Sequence, residues 1–263
     1  MIPELPPPPP APPEAPAPGP RGLPAVVWGF WWAIGVFLLG NLVLGQLLVG
    51  TIVLTAMGVS PGEPIEGLPQ IAASLGADLV FLATMLVWLT WQARDWRSRI
   101  GVILGRRGVR DAAIGLGLGA LVYLGVSLLS VPLLSLFRHG LGSNVSPPEQ
   151  IPEGLSTNTK ILTAILALVV APATEELFYR GILYRGVRDR HGVALGIVVS
   201  AVLFGASHVV EAPWRDVLYL QTLMVITGAA FATIYERRGN LVADIAAHVA
   251  FNVIGIVIIF SGG

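Results

Sequence analysis

Three short patterns set ionisable side chains into otherwise apolar sequence. In the first, Glu175 and Glu176 stand just before Arg180. Consecutive helical residues point about 100° apart, so the two glutamates cannot do the same work. Glu176 and Arg180 are spaced i,i+4 with the acid on the N-terminal side, the better arrangement for a helical ion pair. That leaves Glu175 on a neighbouring face without a local cation, a candidate general base. Pro172 removes one backbone hydrogen bond to Leu168 and is expected to kink the helix just before the pair.

The second and third patterns pair Phe204 with His208 and His248 with Asn252, each at i,i+4. A lone histidine on an apolar helix is an ordinary packing residue. Two histidines and a buried glutamate on three helices suggest hydrolysis. In one scheme Glu175 activates water, His208 orients it or shares its proton, and His248 and Asn252 offer N–H donors to an oxyanion. In the other, Glu175, His208 and His248 ligate zinc or another divalent metal, with an open position for water. The residues leave both open.

The elements that must hold these groups are membrane helices. Of 263 residues only 12% are charged, 54% are hydrophobic, and the mean hydropathy is +0.74. A soluble domain carries about twice that charge. The charges balance, 16 against 16, so no global field points to nucleic acid, which is not an expected partner. With no cysteine, disulfides, thiolate metal sites and cysteine nucleophiles are excluded.

Residues 1–24 hold 12 of the 21 prolines and should form an extended, disordered tail. The tail lacks the basic and apolar regions of a signal peptide. Residues 25–263 are expected to form one all-α domain, a polytopic membrane bundle of about seven to eight transmembrane helices. The apolar stretches are 25–57, 70–93, 112–137, 161–179, 193–210, 217–235 and 241–260, each near or above the ~20 residues a bilayer requires. His208 falls inside the fifth. Residues 94–110 read as a surface helix or a plain loop, and 184–192 as a polar hairpin projecting into the cytoplasm. Gly115 and Gly119 form a small-xxx-small pair that suits close helix packing.

Putting the tail in the cytoplasm leaves 13 basic residues inside and three (Arg138, Lys160, Arg215) outside, as the positive-inside rule requires. Glu175, His208 and His248 then fall at similar heights, a modest depth below the cytoplasmic face. Asp78 and Asp244, the other acids within spans, read as structural residues.

The set Glu175-Glu176-x-x-x-Arg180, Phe204-x-x-x-His208 and His248-x-x-x-Asn252 resembles the CPBP intramembrane proteases. That family takes in CAAX prenyl endopeptidases and the bacteriocin-processing and immunity (Abi) proteins. The resemblance covers about residues 160–260, the expected protease core. It implies an intramembrane endopeptidase, metal-dependent or of glutamate type, in a bacterial plasma membrane, acting on a membrane-associated peptide or protein near the cytoplasmic face. By similarity Glu175 activates the water with His208 as partner. Glu176 and Arg180 support the site, and His248 and Asn252 form an oxyanion hole or complete a metal site. Nothing in the sequence reads a prenyl group. Two other classes compete: an ion- or proton-coupled transporter using intramembrane Glu and His as a relay, and a non-catalytic membrane immunity or chaperone protein. A transporter should show repeat symmetry, which the sequence lacks.

Overall fold

The computed structural model describes residues 20–148, 151 and 155–261, so residues 1–19 of the proline-rich tail lie outside the described residues. Among the described residues, six helices are long and apolar enough to cross a membrane: α1 Phe30–Ala56, α2 Gly67–Gln92, α3 Gly105–Leu141, α4 Thr157–His191, α6 Trp214–Arg238 and α7 Leu241–Ser261. A seventh, α5 Val193–Ala206, is apolar but only 14 residues long. At about 1.5 Å per residue it rises about 21 Å, short of the ~30 Å hydrocarbon core. The fold is an all-helical membrane bundle. Large apolar side chains such as Leu47, Val87, Leu121 and Leu128 face outward, where lipid takes the place of water as solvent.

Residues 94–110 divide between the two sequence expectations. One helical turn, Trp96–Arg99, is followed by a connection, and Arg106, Arg107 and Arg110 ride on the first turns of α3.

The segment expected as a projecting hairpin is different again. Helix α4 runs unbroken to His191, and residues 176–189 are all buried. The buried arginines there have partners. Arg185 donates to Asp189 at 2.8 Å and to the Pro24 carbonyl at 2.6 Å, and Arg188 donates to Glu236 at 2.9 Å. Tyr184 shares Glu236 at 2.7 Å. The chain just before α1 is drawn onto this end, with the Val26 N–H on Asp189 at 2.9 Å and the Trp28 indole on the Ile182 carbonyl at 3.1 Å. A buried arginine is tolerated when its donors are matched in this way.

Helices α3 and α7 touch backbone to backbone. A Cβ on Gly115 would strike the Ala243 carbonyl, and one on Gly119 the Ala247 carbonyl. The contact holds α7 in place one residue before His248. Gly119→Val should therefore force the helices apart, lowering the unfolding midpoint in detergent and cleavage together. Gly117→Ala, with nothing within 4 Å of its Cβ, should leave both near wild type.

Candidate active site

Helix α4 supplies Glu175 and Glu176 from a six-residue α-helical stretch, Ala171–Glu176, between two wider π-type turns at Leu166–Val170 and Leu177–Tyr184. Pro172 opens that stretch. It has no N–H to give, and the widened turn before it accommodates the missing bond. The adjacent glutamates diverge as helical geometry requires. Glu176 is fully buried against Arg180, whose Nε lies 3.1 Å away, and Glu175 is part-exposed on the wall of a cavity of about 500 Å³.

Arg180 is enclosed on every side. Its guanidinium lies 3.9 Å from Asp244, donates to the Gly228 carbonyl at 3.2 Å, and sits over the rings of Phe204 (4.7 Å) and Phe231 (5.4 Å). Phe204 thus joins the second sequence pattern to the first. Asp244, Gly228 and Phe231 were not singled out as site residues from sequence. Only Asp244 left a usable signal, four residues before His248 on α7.

Helix α7 brings in His248. Its Nδ1 lies 2.7 Å from Glu176 Oε1, while Nε2 lies 3.9 Å from Glu175 Oε2. With Glu176 ionised, Nδ1 carries the proton and Nε2 is left as an acceptor toward Glu175. Phe231 stacks at 5.0 Å and fixes the plane of the ring. One turn on, Asn252 donates one amide N–H to the Ala167 carbonyl at 2.7 Å, and its second N–H remains for the cavity it lines.

His208 differs from expectation. Helix α5 ends at Ala206, so His208 stands beyond the helix instead of inside a span. Its backbone N–H goes to Gly205, and the Phe204 carbonyl accepts from His208 Nδ1 at 2.7 Å and from the Ser207 hydroxyl at 2.8 Å. The histidine caps its own helix. A carbonyl can only accept, so Nδ1 holds the proton and Nε2 is an acceptor here too.

Glu175, Phe204, His208, His248 and Asn252 all line the one cavity, whereas Glu176 and Arg180 lie behind it and act through His248. Both histidines have the Nδ1 partner that metal ligands usually show. Among the described residues, however, no group of three His, Cys, Asp or Glu side chains is gathered closely enough to hold a metal ion. The three proposed ligands do not fit one ion in this arrangement. Asp78, on α2, is half-buried and does not line this cavity.

Residues 157–254 match the family described as type II CAAX prenyl endopeptidase Rce1-like. The chain is 27% identical over 185 residues to an uncharacterized 24.3 kDa protein of Escherichia coli, covering 70% of this chain and 78% of that one. It is 27% identical over 220 residues to CAAX prenyl protease 2 of Arabidopsis thaliana, covering 71% and 67% respectively. No solved structure matches it.

Proposed function

We propose that this integral membrane chain, whose residues 157–254 match the Rce1-like type II CAAX prenyl endopeptidase family, hydrolyses a peptide bond of a membrane-associated peptide or protein with a water activated by Glu175. The observation that carries this is the shared cavity. A carboxylate without an arginine partner, two imidazoles with acceptor nitrogens and a free amide N–H all face the same space.

Glu175 takes a proton from water as the oxygen attacks the scissile carbonyl, and gives it to the leaving amine as the carbon–nitrogen bond breaks. His208 Nε2 accepts the water's second O–H and orients it. Asn252 donates to the carbonyl oxygen as charge develops there. His248 in its neutral form presents Nε2 as an acceptor on the wall of the same cavity, and it can donate to the oxyanion only as imidazolium. No step passes through a metal, because the candidate ligands are not gathered around one point.

Vesicles carrying the chain and membrane-anchored peptides should release new peptide termini, detected by mass spectrometry. Cleavage should survive chelation and stop with His208→Ala, while the variant still inserts. Solute flux without cleavage would establish a carrier instead. Binding of a partner unchanged by Glu175→Ala, again without cleavage, would establish a non-catalytic immunity or chaperone role.

A further inference from the structure

Asn252 can serve the reaction in one orientation only. Its side chain ends in two N–H donors and one carbonyl oxygen, and that oxygen would repel the charge developing on a scissile carbonyl. The terminal torsion of an amide side chain is broad, so the donor must be held toward the cavity by some other contact. In this protein the contact is a single bond, from one amide N–H to the Ala167 carbonyl of α4 at 2.7 Å. Ala167 and Asn252 both line the cavity that holds Glu175.

A carbonyl in the middle of a helix is not normally free to take such a bond. In a regular α-helix the Ala167 carbonyl would accept from the N–H of Ala171, four positions on. Here Leu166–Val170 is a π-type turn, and the Ala171 N–H goes instead to the Leu166 carbonyl, five positions back. In that register the Ala167 carbonyl falls to the next N–H along, that of residue 172. Residue 172 is proline and has none. On a plain α-helix the carbonyl vacated by Pro172 would be that of Leu168. The widened turn moves the vacancy back by one residue, onto the cavity wall.

A polar group left empty inside a membrane bundle is costly. The Asn252 amide fills this one from the facing helix. Once that N–H is bound, the plane of the amide is set, and with it the direction of the second N–H. His248, one turn before Asn252 on α7, is held separately by Glu176 at 2.7 Å and by the Phe231 ring at 5.0 Å. Turning the Asn252 amide therefore leaves the rest of the site in place.

We propose that Pro172 is a positioning residue. By withholding an N–H from the Ala167 carbonyl it reserves that carbonyl for Asn252, and so fixes the second Asn252 N–H toward the cavity. Pro172 is buried and acts through Asn252. That the fixed N–H meets an oxyanion rests on the peptidase reading, whereas the reservation of the carbonyl stands without it.

Two replacements separate the missing N–H from the proline ring. Pro172→Ala supplies a donor that competes for the Ala167 carbonyl. Alanine is the best helix former, so the unfolding midpoint in detergent should hold or rise. Losing an oxyanion donor costs about 10²–10³ in kcat, and misdirecting one should cost about tenfold or more, with KM within about twofold of wild type. Lactic acid at position 172, introduced as a backbone ester, has the side chain of alanine and no N–H. It should return kcat to within about threefold of wild type. In an Asn252→Ala background Pro172→Ala should lower kcat no further. The orientation is also read directly. In protein made with isotope-labelled asparagine, the side-chain amide resonance lost in Asn252→Ala should shift in Pro172→Ala and return with lactic acid. Wild-type kcat in Pro172→Ala overturns the proposal, and so does equal loss in the alanine and lactic acid chains, which would assign the effect to the ring. An unmoved Asn252 resonance in Pro172→Ala overturns it whether or not peptide is cleaved. The predicted resonance shifts in a chain that cleaves nothing would uphold it and remove only the peptidase reading.

Discussion

Glu175→Gln is expected to lower peptide-bond hydrolysis by about 10²–10⁴-fold, the range a positioned general base supplies, while the protein inserts and unfolds at the wild-type midpoint. The amide has nearly the same shape as the carboxylate and keeps one acceptor oxygen for hydrogen bonding, but it cannot take a proton from water. Nothing in the packing depends on the charge. Glu175 Oε2 has no hydrogen-bond partner among the described residues, and His248 Nε2 stands 3.9 Å from it. The measurement is single-turnover cleavage in reconstituted vesicles beside thermal unfolding in detergent. Wild-type turnover by Glu175→Gln would remove Glu175 from the chemistry.

Glu176 is expected to behave in the opposite way, although it is the adjacent residue and chemically identical. Glu176→Ala removes the closest anion from a guanidinium that is 0% exposed and leaves His248 Nδ1 without its acceptor. Breaking one side of a buried ion pair costs about 3–5 kcal/mol, so this variant should unfold at a markedly lower temperature as well as lose activity. Asp244, 3.9 Å from Arg180, offsets only part of the loss. The triple variant Glu176→Gln, Arg180→Met and Asp244→Asn removes all three buried charges and nearly keeps the volume, and it should recover most of the stability. It should not recover cleavage, because an amide can meet either tautomer of His248 and no longer directs Nε2 toward Glu175 as an acceptor. Equal stability of Glu176→Ala and wild type would show that the buried pair contributes nothing to the fold.

This contrast explains what was legible in the sequence. Consecutive glutamates on a helix must part company, and the i,i+4 arginine identifies which one is paired, so Glu175 and Glu176 could be told apart before any fold was known. The four-residue spacing between Gly115 and Gly119, and the charge-free runs, likewise carry local rules that survive folding. Positions set by long-range contact were less accessible. Whether α5 ends at Ala206 or continues through His208 depends on which carbonyl the His208 ring reaches, and the apolar run 193–210 continues past both. The arginines of 185–190 looked like a solvated turn because most of their partners, among them the Pro24, Val27, Trp28 and Arg99 carbonyls and Glu236, are distant in sequence. Phe231 and Gly228 have no polar side chain to attract notice, yet one stacks on His248 and the other supplies a carbonyl to Arg180.

The glycine contact between α3 and α7 has a mechanical consequence. The two helices touch backbone to backbone at Gly115 and Gly119 and beyond them meet through side chains such as Tyr123 and Phe251, so the pair works like tweezers with its rivet at the chemical end. A tilt of about 10° at Gly119 moves Ser127, about 12 Å farther along the helix, by about 2 Å. Spreading the tips to admit a bulky residue therefore leaves His248, next to the rivet, almost where it was.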